Sequence, residues 1–377
     1  MTKNNKEKIK FSCLQENLTK GLNQNTKIAG TGKTNLEILD NVLIKAEKGH
    51  LTLITTNLQI AVKTKVRAKI KSQGKTTVPA KLLNDYIKLL PNKAINFEEK
   101  NNNLVIDNKN QKTNIKVTDP EDFPIVPKVD RKNKIKISAS KFKDALESTY
   151  FTISSGEIRS EISGALFDFN KDNKNILTIV GTDSYRLAEK KVKIKDYDKK
   201  KSIIVPLTTL QEVIRIINDN SEEDLNIYIS ENQILFEYKD TEITSRLITG
   251  DYPDYKETIP ETWVTECKFK KQDLINAVKQ ASFFVKEGIN DITLDVKNNE
   301  LVVSSLNSQI GESTTKINAE IDGDKNKIVF NYRYLLDGLL HVKGEEIVLR
   351  LVNDNTPGII TSPEHESYFY LIMPIKV

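Results

Sequence analysis

Thr76-Thr77-Val78-Pro79-Ala80-Lys81-Leu82-Leu83-Asn84-Asp85-Tyr86-Ile87-Lys88-Leu89-Leu90 decides how this chain is read. A β-branched run meets a proline and passes at once into helical spacing. Leu82, Leu83, Tyr86, Ile87 and Leu90 share one predicted helix face, with Lys81, Asn84 and Lys88 on the other. The same strand-to-helix phrase returns as Val205-Pro206 with Leu210 and Val213, and as Phe330-Asn331 with Tyr334 and Leu335. About seventy residues ahead of each stands an earlier phrase of the same kind. These are Ile9-Lys10-Phe11 with Leu14, Leu18 and Leu22; Ile135-Lys136-Ile137 with Phe142 and Leu146; and Cys267-Lys268-Phe269 with Leu274 and Val278. Each unit closes on an aromatic residue or Met followed by Pro: Phe123-Pro124, Tyr252-Pro253 and Met373-Pro374. Successive copies lie about 126 residues apart, and three copies of one domain in series mean that shape carries the function.

The 377 residues hold three domains of this common size, predicted at 1–131, 132–262 and 263–377. Polar, proline-bearing connectors run from Pro127 to Asn133 and from Pro260 to Val264. Between the helical phrases the apolar period is two, as in Leu51-Thr52-Leu53-Ile54, Ile60-Ala61-Val62, Ile176 to Val180 and Leu301-Val302-Val303. Asn-rich turns at Asn101-Asn102-Asn103 and Lys297-Asn298-Asn299 fold neighbouring strands into hairpins. Each repeat therefore reads as two helices and about eight strands. Antiparallel hairpins with few helices give an α+β fold, with the helices laid on antiparallel sheets.

Charge and composition exclude more than they assign. There are 57 basic and 52 acidic residues, a net charge of +5. That balance permits nucleic-acid binding without showing it, because distribution decides. Two cysteines, Cys13 and Cys267, make no disulfide framework, so the expected setting is the reduced cytoplasm. No run approaches the roughly 18 apolar residues of a membrane span, and the polar start from Met1 to Lys8 is no signal peptide. His50, His341 and His365 read as isolated, without a Cys or carboxylate at ligand spacing, so neither metal nor cofactor is expected. Asp119, Glu121 and Asp122 stand among prolines, where a solvated turn is the reading. Gly30-Thr31-Gly32-Lys33-Thr34 resembles the end of a phosphate-binding loop, but Lys27 occupies the position of the first required glycine. It reads as a surface loop that offers Lys33 to a phosphate backbone. No catalytic constellation can be assembled.

Two stretches stand apart. Gly181-Thr182-Asp183-Ser184-Tyr185-Arg186-Leu187-Ala188 occupies the place of Thr55-Thr56-Asn57-Leu58 in the first repeat and Ser305-Leu306-Asn307-Ser308 in the third. The shared Asp or Asn reads as a turn cap, whereas Tyr185, Arg186 and Leu187 belong to the middle copy alone. The chain also ends apolar, from Tyr368 to Val377. Such a terminus is a core strand or the wall of a partner's groove, and both can hold.

Taken in order, these phrases resemble the bacterial sliding clamps, the beta subunits of replicative DNA polymerase III. The matching residues are Thr76-Thr77-Val78-Pro79-Ala80-Lys81, Asp122-Phe123-Pro124, Gly181-Thr182-Asp183 with Arg186-Leu187-Ala188, Ile204-Val205-Pro206, Tyr252-Pro253-Asp254-Tyr255, Phe330-Asn331 with Tyr334-Leu335, and Met373-Pro374. The resemblance implies three tandem DNA-clamp domains and a head-to-tail homodimer, six domains closed into a ring around double-stranded DNA. Heterologous contacts close into such a ring when the rotation per unit allows. Binding in the lumen then need only be to phosphates, independent of sequence. By position in the family pattern, Lys33 and Lys81 lead the DNA contacts, followed by Lys20, Lys141, Lys143 and Arg215. The resemblance also implies a groove that docks peptides of the replicative polymerase alpha subunit, the clamp loader and other clamp-binding proteins. Carried over by motif, it uses Thr182, Asp183, Arg186, Leu187, Pro253, Asn331, Tyr334, Met373 and Pro374, with Ile162, Leu371, Ile375 and Val377 as apolar lining. Glu257 and Thr258 depart from the basic and apolar residues common there, and Ser184-Tyr185 replaces a common Gly-His. The dimer contact would bring the late strand near Ile115 against Phe283-Phe284 of the other copy. Two readings compete with the non-enzymatic clamp: a nucleotide-dependent enzyme built on Gly30 to Thr34, and a repeat-built scaffold that never encircles DNA.

Overall fold

The computed structural model describes residues 8–31, 36–108, 111–156, 159–171, 173–297 and 299–376. The first repeat runs β1 (Lys10–Leu14), α1 (Gln15–Asn25), β2 (Asn41–Glu47), β3 (His50–Thr56), β4 (Ile60–Arg67), β5 (Lys69–Ser72), β6 (Gly74–Pro79), α2 (Ala80–Lys88), β7 (Ala94–Lys100), β8 (Asn103–Asp107) and β9 (Lys112–Lys116). The middle repeat runs β10 (Lys134–Ser138), α3 (Ala139–Glu147), β11 (Gly164–Phe169), β12 (Ile176–Thr182), β13 (Arg186–Lys193), β14 (Lys201–Pro206), α4 (Leu207–Ile216), β15 (Asp224–Ile229), β16 (Gln233–Tyr238) and β17 (Thr241–Arg246). The third runs β18 (Thr265–Lys270), α5 (Lys271–Ala281), β19 (Asp291–Lys297), β20 (Glu300–Asn307), β21 (Gly311–Asn318), β22 (Glu320–Gly323), β23 (Asn326–Asn331), α6 (Tyr332–His341), β24 (Glu346–Leu351), β25 (Gly358–Thr361) and β26 (Tyr368–Ile372). Two helices per repeat and all-antiparallel pairing agree with the α+β expectation. No helix among the described residues is long and apolar enough to cross a membrane.

The strand-to-helix phrases fold by one device with two chemistries. Pro79 and Pro206 end their strands directly before α2 and α4. Their fixed φ suits the entry, and the missing N–H falls near a helix start, where no intrahelical partner exists. In the third repeat Asn331 stands there, and its Oδ1 accepts the N–H of Arg333 at 3.0 Å. That is an ordinary N-cap.

The chain packs into two compact units: Met1–Ala139 with Arg215–Leu247, and Ser140–Ile214 with Ile248–Val377. The first contains a sheet ordered β5-β1-β7-β8-β9 and another ordered β10-β15-β16-β17-β4-β3-β2-β6. Its core gathers Phe11 and Phe97, stacked at 4.6 Å, with Leu18, Leu22, Leu53, Leu83 and Ile87. The second contains β14-β11-β12-β13-β26-β25-β24-β18-β22 and β21-β20-β19-β23, around Phe330, Leu274, Val278, Leu335 and Tyr370. Repeats are thus joined by strand pairing: β17 on β4 in the first unit, β13 on β26 in the second. The apolar C-terminus is β26, an interior strand of its sheet.

Three helix assignments need correction. In α2 the buried set is Ala80, Leu83, Asn84 and Ile87, the i, i+3, i+4, i+7 face counted from the first helical residue. Leu82 therefore lies outside it, 54 % exposed, and Asn84 lies inside with its Oδ1 unpartnered among the described residues. Leu14 precedes α1 and is exposed as well, while Leu18 and Leu22 are buried as expected. Both cysteines are buried and free, with burial pushing Cys13 up to about 11 and Cys267 up to about 12. Neither is a reactive thiolate at neutral pH.

Candidate functional site

The turn after β12 repeats, atom for atom, the turn after β3. Asp183 Oδ1 accepts the N–H groups of Tyr185 and Arg186, both at 3.0 Å; Asn57 Oδ1 accepts those of Gln59 and Ile60 at 3.1 and 2.8 Å. Thr182 Oγ1 donates to Arg186 O at 2.7 Å, and Thr56 Oγ1 to Ile60 O at 2.9 Å. Asn307 plays the same part for Gln309 N–H at 3.0 Å. The turn cap read from the sequence is therefore a property of all three repeats. What differs is the residue the turn delivers.

In the middle copy it delivers Arg186. Its Nε donates to Asp183 Oδ2 at 2.9 Å, Nη2 to Phe151 O at 3.0 Å, and Nη1 to Asp337 at 2.5 Å. Its guanidinium lies 4.6 Å from the Tyr334 ring centre. Burial pulls its pKa down, but Asp337, with Tyr370 and Asp183, outweighs burial and leaves it above the ordinary arginine value. Arg186 is a fixed, permanently charged node, its donors already committed within the chain.

Beside this node β13 and β26 pair so that Leu187 stands opposite Leu371. Leu166, Val180 and Tyr255 pack with them into one apolar cluster. The Tyr255 hydroxyl donates to Glu189 at 2.7 Å, which lets a polar group sit in that floor. Above it opens a cavity of about 210 Å³ lined by Ile162, Thr182, Arg186, Leu187, Pro253, Leu371 and Met373, together with Arg159, Ser184, Asp254, Tyr255 and Thr258. Asp183, Asn331, Tyr334, Pro374 and Ile375 do not line it. Asp183 caps the turn. Asn331 caps α6. Tyr334 stacks on Tyr185 at 6.2 Å, and Ile375 N–H bonds to Val329 O at 2.8 Å. Tyr185 is 61 % exposed, so the Tyr185–Tyr334 pair forms a second platform next to the cavity, with Arg186 between. Such an apolar cleft with a few fixed polar groups suits an extended peptide.

Three family models match in series: the DNA polymerase III beta subunit N-terminal domain over residues 9–127, its central domain over 136–254 and its C-terminal domain over 256–376. This chain belongs to the DNA polymerase III beta-subunit family. It is 28% identical over 379 residues to the beta sliding clamp of Staphylococcus epidermidis, covering 98% of this chain and 99% of that one. To the beta sliding clamp of Staphylococcus aureus it is 27% identical over 379 residues, with the same 98% and 99% shares. The crystal structure of the DNA polymerase sliding clamp from Bacillus subtilis superposes with a TM-score of 0.93 at 25% identity, over 98% of this chain and 100% of that one.

The described basic candidates of this beta-subunit chain lie on helices, but they are not equivalent. Lys20 on α1, Lys81 on α2 and Lys141 on α3 are exposed. Lys143 is largely covered, its side chain 14% exposed and 3.9 Å from Glu147. Arg215 donates to the carbonyls of Asn23 and Gln24 at 3.1 and 2.6 Å and so caps the end of α1. Arg215 is exposed but its guanidinium is engaged by those carbonyls, whereas Lys143 is covered by its neighbours. Lys33 and Val377 lie outside the described residues. Of the residues named for the dimer contact, Phe283 is 77 % exposed and Phe284 half-buried, whereas Ile115 points into the core of the first unit. What β9 leaves open is its backbone edge. Leu82 on α2, Leu89 just past its end, and Leu306 and Ile310 are exposed apolar residues, none of which the sequence reading marked as exposed. A strand-length or helix-length apolar count would not have singled them out.

Proposed function

We propose that this chain is a DNA sliding clamp whose domains are bounded at 1–131, 132–262 and 263–377. Two copies joined head to tail close six domains around duplex DNA. The ring then tethers the replicative polymerase, and equally the clamp loader and repair proteins, as a processivity factor with no catalysis of its own. It works in the bacterial cytoplasm. The observation that carries this reading is the serial match of three beta-subunit domains along one chain. The cavity against Leu187, Leu371 and Met373 supports peptide docking, with Arg186 holding its wall. Lys20, Lys81 and Lys141 supply phosphate contacts, joined by Lys33. Few contacts suffice, because each phosphate neutralised adds to affinity and tight grip would stop sliding. The exposed Phe283, with Phe284, meets the open edge of β9 and the apolar Leu82 and Leu89 of the other copy.

Retention on DNA tests this. The protein loaded on nicked circular DNA by a clamp loader stays bound at moderate salt and runs off when the circle is cut. Equal loss from circular and linear DNA would sink the proposal.

A further inference from the structure

A second cavity repeats the first across the repeat. The positions that line the peptide cavity in the second unit have counterparts lining a cavity in the first unit. Thr182 and Leu187 correspond to Thr56 and Ala61, Pro253 and Tyr255 to Pro124 and Val126, and Leu371 and Met373 to Thr244 and Arg246. The floor pairing is the same: Ala61 stands opposite Thr244 on β4 and β17, as Leu187 stands opposite Leu371. The turn at its end has the same side-chain hydrogen bonds, through Thr56 and Asn57.

Its chemistry differs. Val126 stands in place of Tyr255 and Ala61 in place of Leu187, and the cavity is about 80 Å³, against about 210 Å³. That is room for one aliphatic side chain. Ile125 beside it is 93 % exposed, an apolar group that folding leaves in water. A depression of about 760 Å³ continues from it along the sheet face and shares Ala61, Pro124, Val126 and Thr244. Around the two, basic side chains outnumber acidic ones six to three. Lys63, Lys75 and Arg131 are met by glutamates and Lys45 stands by Glu47, so Lys128 and Arg246 carry the excess charge.

We propose that this cavity and its depression form a second peptide-docking groove, for an acidic, extended segment of a partner protein with one aliphatic anchor. The anchor fills the cavity between Ala61 and Val126, and Arg246 and Lys128 receive the flanking carboxylates. The analogy rests on reading the first cavity as a peptide groove, so the test separates the two.

Full-length protein is titrated into fluorescein-labelled Glu-Asp-Leu-Glu-Asp and, separately, into a neutral labelled Gly-Leu-Phe-Gly, with polarisation as readout. For the acidic peptide, Arg246→Glu and Thr244→Trp each weaken binding by roughly tenfold or more, added salt weakens it too, and Met373→Glu leaves it unchanged. Arg246 is exposed, so its variant keeps the fold. Undiminished binding by Arg246→Glu, loss in Met373→Glu, or no binding at millimolar protein would each overturn the proposal. The neutral peptide reports the larger cavity alone: its loss in Met373→Glu with retention in Arg246→Glu upholds that reading whatever the acidic peptide does.

Discussion

Arg186 shows how much one side chain can hold. Three hydrogen-bonded partners and an aromatic face meet it, and its own side chain is 12% exposed. Lysine can keep the charge but not the fork that reaches Asp183, Asp337 and Phe151 together. Arg186→Lys should therefore cost about 1–2 kcal/mol in urea unfolding, since it leaves the largely covered Asp183 and the Phe151 carbonyl partly unmet while the half-exposed Asp337 turns to water. It should also weaken peptide binding at the neighbouring cavity. An unchanged unfolding midpoint would show that the node is decorative.

Glu242 gives a second residue-scale case. Burial raises its pKa, but Arg131 at 2.8 Å and Lys63 at 3.5 Å outweigh that and leave it below the ordinary carboxylate value. The folded value is depressed, so its stabilisation is complete above about pH 4.3 and is lost as pH falls through the folded value. Arg131 is half-exposed, so the contribution is on the order of 1 kcal/mol after solvent screening. Glu242→Gln should lower the unfolding midpoint at pH 7 and flatten its fall on the acid side. Parallel acid limbs in the two proteins would contradict this.

At the scale of elements, the terminal segment divides cleanly. Residues 368–372 form β26 inside a sheet, whereas Met373 and Ile375 are tied down by single backbone hydrogen bonds, to Tyr185 O at 2.9 Å and Val329 O at 2.8 Å. Removing Met373–Val377 should leave thermal unfolding within a few degrees of the full chain, because little core is lost. Affinity for a peptide in the larger cavity should vanish, since Met373 lines it. Calorimetry and polarisation on the same sample measure both, and a retained affinity would place the groove elsewhere.

Elements also show what was readable. The strand-to-helix phrases were, because Val-Pro and apolar spacing are local. Leu187 and Leu371 could be named, but their standing side by side follows from β13 pairing with β26. No local period records a partner nearly two hundred residues away. Leu82 failed for a smaller reason. An apolar count takes every leucine, while the buried face is fixed by where the helix begins. The contacts of Arg215 with the α1 carbonyls and of Lys143 with Glu147 could not be read either, because a family position does not reveal the group waiting beside the side chain.

For the whole molecule, assembly is the quantity to measure. Phe283 at 77 % exposure is costly in a lone chain. Phe283→Asp should convert a dimer into monomer by light scattering at micromolar concentration, with unfolding otherwise unchanged. A monomeric parent protein would favour the scaffold reading instead. Lys81→Glu should leave the dimer intact, shorten the residence on circular DNA and reduce the salt slope of binding by roughly one or two contacts. An unchanged slope would put Lys81 away from phosphate.

The pairing of β17 with β4 has a further consequence for anyone handling this protein. The connector at 117–133 is the natural place for a protease to cut, being largely irregular and exposed. Yet β10, β15, β16 and β17 beyond the cut stay zipped to β4, β3 and β2 before it, in one sheet. A nicked chain should migrate as two bands in detergent while eluting as a single intact species in native buffer. Cutting the thread between these repeats does not unstitch them.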